Sequence, residues 1–168
     1  MPEIAGIAMN EVQLIRSAFA WRGRPERATN SSELTSDELQ SLMAVFALDW
    51  RDTTATIWDR YSEAVSYFSP EAFCYYLPGI MLAAMEEGSA NNSAASSVIW
   101  ALDRSPRIDW WDEQFSLRWP LLTLIELSAV EAWIVWLSSI TRSNHDDVSL
   151  GRAMDTLQLL RDLKPPIE

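Results

Sequence analysis

Apolar residues recur at helical spacing through most of the chain. Leu, Ala, Ile, Met and aromatic residues make up most of this apolar content, which favours helices over strands. The pattern predicts an all-α protein, a single helical domain over residues 1–168 folded as one compact bundle of about six to eight helices. Asn10 is a candidate N-cap for the first helix. The clearest helical stretches are residues 10–21, 36–47, 55–67, 93–102 and 147–163.

Hydroxyl and acidic residues three positions apart predict where two helices begin. Thr35 with Glu38, and Ser128 with Glu131, have the spacing of a capping box, in which each side chain bonds the other residue's backbone N–H.

The segment FSLRWPLLTLIEL, directly before Ser128, contains Pro120, which interrupts a helix. We therefore expect this segment to be extended.

The segment FSPEAFCYYLPGIM predicts a corner between two helices. Its Ser-Pro start suits a helix N-terminus, where the N–H that proline lacks has no helical partner to lose. Pro78 favours a break or kink eight residues later. We expect a Pro-kinked helix corner at residues 69–78, with Phe73 and Leu77 buried in it.

Negative charge is concentrated in one part of the chain. The sequence has 24 acidic and 13 basic residues, a net charge of −11, and residues 31–103 hold eleven of the acids against two arginines. Repulsion from phosphate argues against direct nucleic-acid binding. An excess of negative charge instead suits a protein partner with a basic surface.

Three acidic residues in this region are candidate partner-binding residues. Asp59 and Glu63 are four positions apart, which would place both on the outward side of one helix over residues 55–67. Asp52 comes just before that helix and would extend the same patch. The alternative is a solvated face that only keeps the protein soluble.

Tryptophan is unusually frequent, with nine residues in 168. Most of them are expected in the core, but tryptophan is also enriched at binding hot spots. Trp50 lies in the charged stretch DWRD, and Trp110 and Trp111 are adjacent, so they cannot point in one direction on a helix. We expect these three to be partly exposed and to contribute to partner binding.

The sequence contains no recognisable catalytic motif. The single histidine, His145, is predicted to lie in an exposed polar loop whose Asp caps the last helix, because a catalytic metal site usually takes three protein ligands. The single cysteine, Cys74, is expected to be a small buried apolar residue. We expect no catalytic residue, no metal and no cofactor. The alternative is a carboxylate pair assembled by the fold, which would make the protein a small enzyme.

Residues 120–140 are apolar enough to resemble a membrane span, but they include Glu126 and Glu131, which are costly at the centre of a bilayer. A central helix of a bundle explains them better. No basic stretch followed by an apolar run occurs at the N-terminus. The expectation is a cytoplasmic protein with no membrane partner.

Residues Tyr67 to Leu82 resemble the F-x-Ser-Pro-Glu-Ala-Phe-x-Tyr-Tyr-Leu-Pro signature of a family of small bacterial helical proteins of unassigned function. In that family a tryptophan lies in an upstream loop, as Trp50 does here, and a hydroxyl-x-x-acid helix start follows, matched by Ser128 to Glu131. Small acidic proteins of this kind are similar to immunity proteins encoded beside bacterial toxins, including those of type VI secretion.

This resemblance implies an inhibitor that neutralises a cognate toxin, such as a secreted nuclease effector, by binding its basic surface. An enzyme with a carboxylate-lined active site, or a scaffolding protein, is the alternative.

Overall fold

Helices form the regular structure of the described chain. The computed structural model describes residues 2–86, 88–140 and 143–166, with side chains from residue 10 onward. Within these ranges there are nine α-helices and no strand, so the prediction of a compact all-α fold is confirmed. The helices are α1 (Pro2–Phe19), α2 (Ser36–Phe46), α3 (Ala55–Arg60), α4 (Ala64–Tyr67), α5 (Pro70–Ala84), α6 (Ser93–Leu102), α7 (Glu113–Arg118), α8 (Leu124–Ser139) and α9 (Asp147–Asp162). Three-residue 3₁₀ turns occur at Trp50–Asp52, Ile108–Trp110 and Trp119–Leu121.

The helix α5 lies at the centre of the fold. Twelve of its fifteen residues are buried, and it contacts α1, α3, α6 and α7. Ser69 is its N-cap, with the hydroxyl accepting the Ala72 N–H at 3.1 Å, and Pro70 occupies the first helical position. Phe73 and Leu77 are buried, as expected. The Ser-Pro-Glu-Ala-Phe segment therefore builds the core.

The rings of α5 pack within an aromatic cluster. Tyr76 stacks on Phe68, with ring centroids 5.0 Å apart, and meets the edge of Trp58 at 6.2 Å. Its hydroxyl donates to the Leu48 carbonyl at 2.7 Å. Such ring pairs stabilise a core beyond the area they bury.

The predicted break at Pro78 is wrong, because one helix continues through it to Ala84. Proline removes a single N–H donor, and a helix enclosed by neighbours on nearly all sides retains enough packing to offset that loss. Gly79, the next residue, lets the Trp50–Asp52 turn approach closely. A methyl group at this position would overlap the Thr53 hydroxyl and lie 2.8 Å from the Trp50 carbonyl oxygen.

Several helix boundaries differ from those predicted. Asn10 lies inside α1 and is not its N-cap, because the preceding residues are already helical. The capping box of Thr35 with Glu38 is confirmed at the start of α2. The one predicted at Ser128 is wrong, since the same motif occurs five residues earlier, at Thr123 with Glu126.

The segment predicted to be extended instead forms α7, a 3₁₀ turn and the start of α8. Pro120 stands in the first turn of a short 3₁₀ element, where proline is tolerated. The stretch 55–67 is also divided, into α3 and α4. These two differences add helices and the uninterrupted α5 removes one, so the nine described helices lie close to the expected six to eight.

An ion pair between the half-buried Arg22, three residues after α1, and the buried Glu126 connects the segment after α1 to the start of α8. The Arg22 guanidinium donates to Glu126 through Nε at 2.5 Å and Nη2 at 2.8 Å, and also to the Leu121 carbonyl at 3.0 Å. Glu126 is 0% exposed and simultaneously accepts the Thr123 N–H as part of the capping box. Glu126, one of the two acidic residues that make 120–140 unlike a membrane span, is therefore held in the core by these bonds.

No single helix in the described ranges is both long and apolar enough to cross a bilayer. The adjoining stretches Glu113–Leu121 and Leu124–Ser139 reach that length and apolarity only together, and they are bent by 106°.

Candidate protein-binding surface

The three acidic candidates lie on successive elements and are all exposed. Asp52 ends the 3₁₀ turn, Asp59 lies in α3 and Glu63 is the N-cap of α4. Asp52 and Asp59 have no ion-pair partner among the described residues. Nearby Arg51 is instead held by Asp49 at 3.1 Å. The negative charge of Asp52 and Asp59 is thus open to a partner.

The prediction that Asp59 and Glu63 share one helix is wrong. α3 ends at Arg60, and Tyr61 leaves the helical region at φ −124° and ψ 32°. Glu63 accepts a hydrogen bond from the Ser41 hydroxyl at 2.6 Å, which ties the start of α4 to α2. This side chain therefore has a structural bond that the other two acidic candidates lack.

Trp50 is buried, so the expectation that it is partly exposed is wrong. The charges of DWRD lie on its neighbours, while the indole itself is only 1% exposed. Its ring lies below the Arg51 guanidinium, 4.4 Å from the ring centroid, and its backbone packs close to Gly79 of α5. Polar neighbours in the sequence could not reveal this contact with a distant helix.

The adjacent pair Trp110 and Trp111 divides between surface and core. Trp111 is buried, which contradicts the prediction: its indole N–H donates to the Ser105 carbonyl at 2.9 Å and its ring packs on Phe115 at 4.9 Å. Trp110 is 64% exposed, and the Arg107 guanidinium lies 4.5 Å from its ring centroid.

Sequence reasoning missed the most exposed tryptophan. Trp100, near the end of α6, is 85% exposed. It follows Val98 and Ile99, which are buried, and the apolar pattern of α6 gives no sign that this one ring points outward. The only available signal was its position two residues before the end of a short helix.

One acidic candidate and one exposed tryptophan lie on helices that contact each other. α3, which carries Asp59, packs against α6, which carries Trp100. Trp110 follows α6 in the connection to α7. We define the candidate surface by its three acidic and two aromatic members: Asp52, Asp59, Glu63, Trp100 and Trp110.

Carboxyl groups with a lowered pKa occur at helix starts. A backbone N–H that donates to the carboxylate lowers the pKa of Glu38, Asp112 and Asp146. Burial raises the pKa of Asp49, but hydrogen bonds from a backbone N–H, a tyrosine hydroxyl and an arginine outweigh it, so this pKa is lowered too. These carboxylates stabilise helix ends, a structural use that needs no substrate.

His145 lies outside any cluster of metal-ligating side chains in the described ranges. It is half-buried rather than exposed, and burial lowers its pKa, opposed by a hydrogen bond to the Ala90 backbone. The neighbouring Asp146 caps α9, as predicted. Cys74 is buried, also as predicted, and burial raises the pKa of its thiol to about 12.

Comparison with known families assigns the chain to a family. The model of a family of unknown function, DUF6714, matches residues 11–157. The chain belongs to DUF6714. No curated protein and no solved structure matches it. The match spans all nine described helices, α1 and α9 in part and the other seven in full, and includes all five members of the candidate surface. Membership of DUF6714 agrees with the resemblance to a family without an assigned function.

Proposed function

We propose that the protein is an immunity protein that binds and neutralises a cognate bacterial toxin in the cytoplasm. The observation that carries the proposal is the exposure of two indoles, Trp100 at 85% and Trp110 at 64%. Apolar area left in water forgoes the stabilisation of burial, and tryptophan is among the residues most enriched at binding hot spots. A partner that covers these rings would recover that stabilisation.

Charge supports the choice of partner. The net charge of −11 and the open carboxylates of Asp52 and Asp59 favour association with a basic protein surface. A nuclease effector needs such a surface to hold nucleic-acid phosphates. An acidic surface next to exposed rings fits competition with nucleic acid for that groove, and the resemblance to type VI immunity proteins points to the same class of partner.

The rings and the carboxylates would have different roles. Exposed carboxylates mainly accelerate encounter with a basic partner, and their effect weakens as salt rises. Rings that are exposed in the free protein and covered in the complex mainly slow dissociation, because they lose their water only when the partner is bound. The surface therefore predicts separable effects on the two rate constants.

The test is co-purification with the toxin encoded by the adjacent gene, using single alanine variants of the two tryptophans of the candidate surface. We expect Trp100→Ala or Trp110→Ala to weaken the complex by about 2 kcal/mol, roughly thirtyfold in Kd, as for a hot spot. Trp21→Ala is the matched control, because Trp21 is 62% exposed and also lies beside an arginine, Arg22, but belongs to a different part of the chain.

Absence of a complex with the adjacent gene product would contradict the immunity function. A complex that all three alanine variants weaken equally, or that none weakens, would contradict the assignment of the tryptophans to the interface.

A further inference from the structure

Arg118 is a buried cation without a carboxylate partner. Its side chain is only 6% exposed, and no acidic group among the described residues lies within ion-pair distance of it. The guanidinium Nη2 donates to the carbonyls of Ser66 at 3.2 Å and Phe68 at 2.8 Å, and the group lies 4.9 Å from the Phe73 ring centroid. Burial lowers the pKa of Arg118 to about 10, opposed by electrostatic interactions with Cys74 and Asp112.

Part of the guanidinium is left without a partner in the described chain. An arginine has five N–H donors, and Nη2 supplies the two that reach carbonyl oxygens. Nε and Nη1 make no hydrogen bond to a described residue, yet neither is sealed from water. Taking a charge out of water is costly unless another group compensates it. The carbonyl contacts explain how Arg118 is held in place, and Asp112 acts on its charge only from beyond ion-pair distance, so no carboxylate touches the guanidinium.

Arg118 lines a groove that also contains the exposed ring of Trp100. The groove has a volume of about 240 Å³ and lies between α6, α7 and the end of α4. Trp100 is the exposed ring of the groove, Phe115 and Trp119 lie buried beneath it, and Arg104 contributes a second guanidinium. The charge of Arg104 is already matched by an ion pair with Asp112, so Arg118 supplies the open positive charge.

We propose that this groove binds a small ligand in which a carboxylate or phosphate is attached to a flat apolar group, with the anion on Arg118 and the flat group against the Trp100 ring. A guanidinium presents paired N–H donors that match the oxygens of either anion. Aromatic side chains favour stacked or edge contacts with another ring. The site is unusual in so acidic a protein, because general electrostatic attraction would draw cations and not anions to its surface.

The binding site does not depend on the proposed immunity function. It does share Trp100 with the candidate surface, so a ligand bound in the groove would lie beside one of the two tryptophans of that surface.

The test is a titration of the ¹⁵N-labelled protein with three probes, followed through the Arg118 Nε–H and Trp100 indole N–H resonances. The probes are N-acetylphenylalanine, phenyl phosphate and the neutral N-acetylphenylalaninamide. We expect saturable, single-site shifts at both resonances with at least one anion, and binding at least tenfold weaker with the amide. Which anion binds more tightly distinguishes a carboxylate ligand from a phosphate ligand.

Two variants check the location. Arg118→Gln should weaken binding of the anion at least tenfold, whereas Arg107→Gln, at an arginine outside the groove, should not change it. If Arg118→Gln does not fold, Ala101→Leu decides instead, because it fills part of the groove wall and leaves Arg118 in place. No saturable shift with either anion, equal binding of the amide, or unchanged binding in both Arg118→Gln and Ala101→Leu would overturn the proposal.

Discussion

Gly79→Ala should destabilise the protein although alanine is the better helix former. Gly79 lies within α5, where the Trp50–Asp52 turn packs against the helix. A methyl group there would overlap the Thr53 hydroxyl and lie 2.8 Å from the Trp50 carbonyl oxygen, well inside the 3.4 Å at which ordinary contact begins. The hydroxyl is itself bonded to that carbonyl at 2.7 Å, so the two obstacles cannot move independently.

The size of the effect follows from two opposing terms. Forcing a methyl group into a packed contact costs about 1–3 kcal/mol. Replacing glycine by alanine inside a helix returns up to about 1 kcal/mol. We expect a net loss in the free energy of unfolding of up to about 2 kcal/mol.

Gly151→Ala is the matched control. Gly151 also lies inside a helix, α9, but a methyl group there would meet nothing within 4 Å. Only the helix-propensity term then applies, so this variant should be more stable by about 0.5–1 kcal/mol. Urea unfolding at 25 °C, followed by circular dichroism and tryptophan fluorescence, measures both changes as shifts in midpoint at a constant slope. Equal stabilisation by the two substitutions would refute the close packing of the turn that carries Asp52.

Further predictions concern the core and the two single-copy residues. Phe73→Ala should lower the free energy of unfolding by about 3–5 kcal/mol, because the ring is fully packed; unchanged urea unfolding would contradict this. Glu126→Gln should lower the free energy of unfolding by about 1–3 kcal/mol, because it removes the charge that pairs with the half-buried Arg22, and unchanged urea unfolding would contradict a closed pair. Cys74 should not react with a thiol reagent at pH 8 in the native state, since its pKa of about 12 keeps it protonated, and should react on unfolding; rapid labelling of folded protein would disprove its burial. His145→Ala should leave toxin binding unchanged, because His145 is expected to hold no metal. Stoichiometric metal bound through His145 in the purified protein would contradict that expectation.

Local signals in the sequence were sufficient where the structure depends on neighbouring residues. The capping box of Thr35 with Glu38 and the Ser-Pro start of α5 involve contacts within one helical turn, and both were predicted correctly. The capping box at Ser128 failed because the same motif is present five residues upstream. The Ser128 hydroxyl instead bonds the Leu124 carbonyl inside the helix, an equally local alternative.

The candidate surface was only partly predictable, because exposure depends on contacts between distant segments. Trp50 and Trp111 occur beside charged residues, yet α5 covers one and the Phe115 ring packs on the other. Trp100 follows two buried residues in an apolar helix and is nevertheless exposed. Pro78 illustrates the same limit in the fold, since packing around α5 overrides a local tendency to break the helix.

The central claim is that an acidic surface guides the protein to a basic toxin. Its most direct test is the association rate constant with that toxin, measured from low to high salt for the wild type and for the triple variant Asp52→Lys, Asp59→Lys and Glu63→Lys. A second triple variant, with lysine at Glu33, Asp155 and Asp162, is the control: it makes the same change in net charge at exposed positions outside the candidate surface.

We expect the first variant to associate much more slowly than the wild type at low salt and to lose most of the salt dependence, with folding little changed. The control variant should retain more of both the rate and its salt dependence. Equal association rates for the wild type and the first variant at low salt, or equal slowing by the two variants, would contradict the role assigned to Asp52, Asp59 and Glu63.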